Sequence, residues 1–185
     1  AEGITSQISG SSYTMSSFSS WGVPGSLELK PEITAPGGDI YSTLPFGQYG
    51  LMSGTSMASP YMAGTAAACL QYVNKLYPTM TAVEKQLLVN RLLMSTANIL
   101  YDEYGVAYSP RKQGAGMSSL ADAVATPAYL YVRGIDKTKI ELGDDAQKTG
   151  VYTLRFVVKN LTGAALRYEI NTTVQTETTG DDALY

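Results

Sequence analysis

Ser53-Gly-Thr-Ser-Met-Ala-Ser-Pro60 sets a glycine and a hydroxyl pair directly ahead of a long run of small and apolar residues. Ala58, Met62, Ala63, Ala66, Ala67, Leu70 and Val73 put apolar groups on nearly every side of a 3.6-residue repeat, so residues 56–76 are expected to form a buried helix that stops before Pro78. Pro60 is expected in its first turn, where a missing N–H is tolerated. Ser56 then stands where the helix begins. A serine hydroxyl attacks poorly unless a base removes its proton, and it needs backbone donors aimed at the developing oxyanion. The free N–H groups and positive dipole end of a helix start can provide those donors. Gly54 removes a side chain where another backbone could approach, and small Ala58 and Ser59 allow tight packing behind the serine. Taken alone, Gly-Thr-Ser is equally an ordinary turn capping a buried helix.

Upstream, residues 1–50 are rich in Gly, Ser, Thr and Pro. Met15 to Trp21 alternates loosely and is expected to form a short strand. Ile33, Thr34 and Ala35 fit a short buried strand ending in a turn at Pro36-Gly37. Downstream, Thr81-Ala-Val-Glu84 is a capping box opening a second helix. Val83, Leu87, Leu88, Leu92 and Met94 supply its apolar side, and Lys85 and Arg91 its solvated face. Gly114-Ala-Gly116 is a tight connection into a third short helix, capped by Ser118 or Ser119, with Leu120, Ala121 and Val124 buried. The pattern changes at Thr126-Pro127. Residues 128–133, 138–142, 151–159 and 166–176 alternate as strands do, with turn signals at Gly143-Asp144-Asp145 and from Asn160 to Gly163. An antiparallel β-region is expected, incomplete as a sandwich, which needs about seven strands in about 100 residues.

Composition narrows the function classes. With 44% hydrophobic and 16% charged residues, the chain has material for a core and too little charge for disorder. A net charge of −3 without a basic stripe argues against a nucleic-acid partner. No uninterrupted apolar stretch of about 18 residues is present, so no membrane span is expected. The single cysteine, Cys69, reads as a buried small hydrophobe. There is no histidine, so no histidine base can come from within this chain. Asp39 and Asp102 read as surface residues. Asp144-Asp145 and Asp181-Asp182 read as turn and tail carboxylates, so no metal site is expected.

Gly54 to Pro60 resembles the active-serine signature of the subtilases residue by residue. Phe18-Ser-Ser-Trp-Gly22 and Leu29-Lys-Pro-Glu-Ile-Thr-Ala-Pro-Gly-Gly-Asp-Ile-Tyr-Ser42 resemble the segments that lead into it, and Gly114-Ala-Gly116 with its short helix resembles the end of the catalytic domain. The resemblance implies an α/β fold. Residues 1–126 would be the C-terminal part of a subtilisin-like parallel-sheet catalytic domain, and residues 127–185 the beginning of a fibronectin type III-like antiparallel β-sandwich. Among subtilases the chain most resembles the lactocepin-type cell-envelope proteinases.

The resemblance further implies a serine endopeptidase acting on protein or peptide substrates, extracellular or at the cell surface. Ser56 would be the catalytic nucleophile and its own N–H an oxyanion donor. Gly54, Thr55 and Met57 would bind substrate, with Met57 and residues 49–53 on the leaving-group side. Subtilases order their triad Asp, His, Ser, so the Asp, the His and the oxyanion-hole Asn are expected from an upstream segment of the protease absent from this chain. The family's calcium loops find no match here, so no cofactor is expected in this chain. Tyr61 departs from the histidine usual at that position, which is not the catalytic base. Two alternatives stay open: an inactive pseudoprotease or interaction fragment, and a Ser-Glu-Asp peptidase of the sedolisin type. The second would explain the missing histidine but fits Met57 to Pro60 less well.

Overall fold

The computed structural model describes residues 13–23, 25, 26 and 28–175. In chain order a hairpin precedes the helices and a second antiparallel strand pair follows them. Strand β1 (Ile40–Leu44) turns through a single 3-10 turn at Pro45–Gly47 into β2 (Gln48–Met52), with Ile40 opposite Met52 and Leu44 opposite Gln48. Four helices follow: α1 (Thr55–Leu76), α2 (Ala82–Ser95), α3 (Pro110–Gln113) and α4 (Leu120–Ala125). After a long connection, β3 (Ala128–Tyr131) pairs antiparallel with β4 (Val157–Asn160), Ala128 opposite Asn160.

Local chemistry accounts for the helices. Thr81 Oγ1 accepts from the Glu84 N–H, and Glu84 reaches back to the Thr81 N–H at 2.7 Å, so the expected capping box forms at the start of α2. Ser119, of the two serines considered, caps α4 by accepting from the Asp122 N–H. α3 was not expected. Its signal is Ser109-Pro110, a capping serine followed by proline at the first helical position.

The core lies where α1, α2 and α4 meet. Cys69 and Val73 from α1, Leu88, Val89, Leu92 and Leu93 from α2, and Ala123 from α4 are buried together. Cys69 is fully enclosed, and that burial pushes its thiol pKa up, so it acts as a packed apolar group. Several expectations shift here. α1 buries one face, Thr65, Cys69 and Val73, while Ala63, Ala67 and Leu70 are exposed, because α2 and α4 cover a single side of it. Val83 is exposed, and in α4 the buried position is Ala123 rather than Ala121. Lys85 and Arg91 are half-buried, not solvated: Lys85 donates to the Pro78 carbonyl, and the Arg91 guanidinium lies 4.8 Å from the centre of the Tyr131 ring.

Parallel pairing in the described residues is confined to one bridge, Thr34 with Met117, and Met117 pairs antiparallel with Asn98 on its other side. The strand expected at Ile33–Ala35 is therefore a single bridging residue, fixed by Thr34 N–H to Gly116 and Ser118 N–H to Thr34, each at 2.9 Å. Met15 to Trp21 forms a turn, with Ser19 N–H on the Ser16 carbonyl. Gln113 ties the loops around this bridge. Its amide accepts from the Leu100 N–H at 2.7 Å and donates to the Leu100 and Tyr108 carbonyls, while its own carbonyl accepts from Thr34 Oγ1.

Beyond Thr126, β3 falls inside the expected strand 128–133 and β4 overlaps the end of the expected strand 151–159, running one residue past it to Asn160, whereas residues 138–142 and 166–175 join no ladder. Alternation marks a chain suited to a sheet, but a strand needs a partner backbone to form. Residues 137–141 are held by side chains instead, against residues 29–32 (Lys139 Nζ to the Leu29 carbonyl at 2.7 Å, and Leu29 N–H to Glu141 Oε1 at 3.2 Å). Asp145 closes a turn through the Gly150 N–H, and Asn160 through the Thr162 N–H, as their sequence signals require. Asp181 and Asp182 lie outside the described residues.

Candidate active site

β2 delivers the chain to Ser53, and the next residue opens α1. Gly54 is the N-cap, with φ 152° and ψ 165°. That corner of backbone space is open essentially to glycine alone. Its N–H donates to the Gly37 carbonyl at 2.8 Å, and its carbonyl accepts from the Met57 N–H at 3.0 Å. Gly37 permits this approach. A Cβ there would stand 2.8 Å from the Gly54 oxygen and 3.2 Å from Ala58 Cβ. The Pro36-Gly37 turn thus holds the nose of α1 by backbone alone.

Thr55 and Ser56 are the first two residues of the helix, and both are exposed. No side chain caps this end, so the N–H groups of Thr55 and Ser56 have no intrahelical acceptor. Ser56 Oγ makes no hydrogen bond among the described residues. Met57 is half-buried, and its Sδ lies 3.8 Å from where a Gly54 Cβ would stand. Gly54, Thr55, Ser56 and Met57 are therefore gathered in one turn, by sequence adjacency and by the Gly37 contact.

Pro60 sits in the second turn of α1, not the first, because the helix begins at Thr55. It has no N–H to give to the Ser56 carbonyl four residues earlier. Beside the turn is a recess of about 390 Å³, lined by Phe18, Gly37, Asp39, Thr55 and Ala58 among others. Sequence reading singled out Thr55 here but not Phe18 or Gly37 as its neighbours.

Asp39 is exposed and has a left-handed φ of 49°. It bonds with Ser53 across the base of the β1–β2 hairpin. Asp102, half-buried, accepts from the Tyr104 and Val106 N–H groups at 2.9 and 2.8 Å, closing its own loop. Neither aspartate is engaged with Ser56. Among the described residues, no three His, Cys, Asp or Glu side chains stand together as a metal site, and no helix is long and apolar enough to cross a membrane.

An exposed serine thus stands at an uncapped helix start, two residues after a glycine in a backbone conformation that favours glycine. Residues 4–116 match the profile of the peptidase S8, or subtilase, family. The chain belongs to this family of serine proteases. The C5a peptidase of Streptococcus pyogenes is 36% identical over 164 residues, a match covering 88% of this chain and 14% of that protein. The PII-type proteinase of Lactococcus lactis subsp. cremoris is 36% identical over 174 residues, covering 88% of this chain and 9% of that one. This chain therefore spans only a small part of the length of either relative. The CspB protease of Clostridium perfringens superposes with a TM-score of 0.47 at 28% identity, over 60% of this chain and 24% of that structure, an overlap too partial to define the fold by itself.

Proposed function

We propose that Ser56 Oγ is the nucleophile of a serine endopeptidase that hydrolyses peptide bonds by acyl transfer. The observation that carries this reading is the exposed Ser56 at the second position of α1, whose opening N–H groups no side chain occupies. In the reaction, Ser56 Oγ bonds to the scissile carbonyl carbon and gives up its proton to a histidine. The carbon–nitrogen bond breaks as that proton passes to the leaving amine, and water then releases the acyl group by the same route. The Ser56 N–H is one oxyanion donor. Gly54, Thr55 and Met57 bind the substrate, Met57 on the leaving-group side.

The histidine comes from an upstream segment of the same protease, since this sequence contains no histidine, and the family's Asp-His-Ser order puts the aspartate and the oxyanion asparagine there with it. We assign residues 1–126 to the catalytic domain and residues 127–185 to the start of a fibronectin type III-like β-sandwich. The β3–β4 ladder and the alternation of the following segments support the second assignment. An extracellular or cell-surface location follows from the resemblance to cell-envelope proteinases. We assign no cofactor to this stretch.

The test is labelling of the intact protein by a fluorophosphonate, with the modified residue mapped by mass spectrometry. The adduct is expected on Ser56, and Ser56→Ala is expected to abolish both adduct and peptide hydrolysis. A folded protein that hydrolyses peptides unchanged after Ser56→Ala would refute the assignment; one that neither labels nor hydrolyses would be a pseudoprotease.

A further inference from the structure

Five charged side chains converge around residues 29–32, outside the turn that holds Ser56. The Glu32 carboxylate is ion-paired to Lys30 of its own segment and to Lys137 from beyond β3. Lys139 Nζ stands 3.6 Å from the same carboxylate and 2.7 Å from Glu141 Oε1. It also donates to the Leu29 carbonyl, while the Leu29 N–H donates to Glu141. The lysines at 137 and 139 thus grip both sides of Pro31. Solvated ion pairs contribute little; the Lys137 side chain is 39% exposed, whereas that of Lys139 is 12% and that of Glu32 25% exposed.

The gripped segment leads to the nucleophile turn. The Glu32 carbonyl accepts from the Ala115 N–H at 2.9 Å, Thr34 is bridged to Met117, and the Gly37 carbonyl accepts from the Gly54 N–H at 2.8 Å. Residues 33–36 join Glu32 to Gly37 with no helix or long loop between them, and an extended chain has little slack to absorb a shift at one end. The Gly54 N–H bond to the Gly37 carbonyl couples the end of this segment to the start of α1.

We infer that Lys137 and Lys139, which lie outside the stretch matched to the subtilase family, are positioning residues for Ser56. They pin Glu32, and through it the segment ending at Gly37, against the opening of α1. This rests on the reading of Ser56 as the nucleophile. Burial pushes the Glu32 carboxyl up, but hydrogen bonds from Lys137 and Lys30 outweigh it and hold the pKa at about 2. The carboxylate that the lysines grip is therefore charged at any pH where a protease of this class would work.

The experiment compares wild type, a Lys137→Met/Lys139→Met pair and a Lys137→Arg/Lys139→Arg pair in the intact protease, with folding checked by circular dichroism. The Met pair is expected to lower kcat on a short peptide ester, and the rate of fluorophosphonate labelling, by about tenfold with KM unchanged, and the Arg pair to stay within about twofold of wild type. An active wild type with an unaffected Met pair overturns the inference alone. So does a loss that cooling by about 15 °C fully restores, because that marks a purely structural contribution. A wild type that neither hydrolyses nor labels defeats the Ser56 reading, and this inference with it. If the Met pair does not fold, Glu32→Gln, which keeps size and removes charge, is judged by the same thresholds.

Discussion

Asp39 and Ser53 close the neck of the β1–β2 hairpin by exchanging hydrogen bonds. Ser53 Oγ accepts from the Asp39 N–H at 2.8 Å and donates to Asp39 Oδ1 at 3.1 Å. Asp39 adopts a left-handed φ to do so, a conformation aspartate tolerates better than most residues. Since Ser53 is the residue before Gly54, the neck sets the path into the first turn of α1. Ser53→Ala is expected to cost about 1 kcal/mol and to slow fluorophosphonate labelling of the intact protein. Thermal denaturation and labelling kinetics on the same preparation check both.

Gly54→Ala is expected to be worse. Its φ of 152° is strained for any residue with a Cβ, at a cost of about 1–3 kcal/mol. Relieving that strain would rotate the first turn of α1 away from Gly37. The measurement is the labelling rate at a temperature where the variant is shown to be folded, and a near-complete loss is expected.

Glu32 should register in acid. Its folded pKa of about 2 lies below the ordinary 4.5. It therefore contributes stability that is fully present above about pH 4.5 and lost as pH falls toward 2. Glu84, Asp122, Glu141 and Asp145 are also held low, by their own hydrogen bonds, so the whole chain should weaken in that window. Urea midpoints of wild type and Glu32→Gln isolate the one group. The gap between them should be wide at pH 6 and shrink toward pH 3.

Gln113→Ala would leave the Leu100 N–H, inside a residue only 6% exposed, without its partner. An orphaned buried donor costs about 1–3 kcal/mol. Lowered thermal stability should come with faster amide exchange at Leu100, whose N–H no longer has a side-chain acceptor.

Leu92→Ala opens a hole at the meeting of α1, α2 and α4, where Leu92 is 2% exposed. About 2–5 kcal/mol of destabilisation is expected, read from the denaturant midpoint.

What could be read in advance was local. The Thr81–Glu84 box, the helix after Gly54 and the cap at Ser119 are each settled by residues within one turn of one another, so the sequence displays them. The β1–β2 hairpin was missed although Pro45-Phe-Gly47 is a usable turn signal between two short alternating runs. The extended segments at 138–142 and 166–175 are legible as β-like but not as unpaired, because pairing depends on a partner backbone elsewhere in the chain. Arg91 looked like a solvated charge until Tyr131, forty residues later, covered it. At the candidate site, Gly54 to Met57 are contiguous, so their grouping in one turn is visible in the sequence itself. Gly37 and Ser53 could not be given their parts, since those come from contacts with Gly54 and Asp39 across the turn.

Pro60 carries a last consequence. A helix normally grips its own first carbonyls from the turn above, and here one of those grips is missing at Ser56. The leading turn of α1 is thus held to the residues behind it by one bond fewer, and depends the more on the Gly54–Gly37 bond in front. Damage deep in the helix should leave its tip nearly in place, whereas a small slip at the moorings would set it adrift.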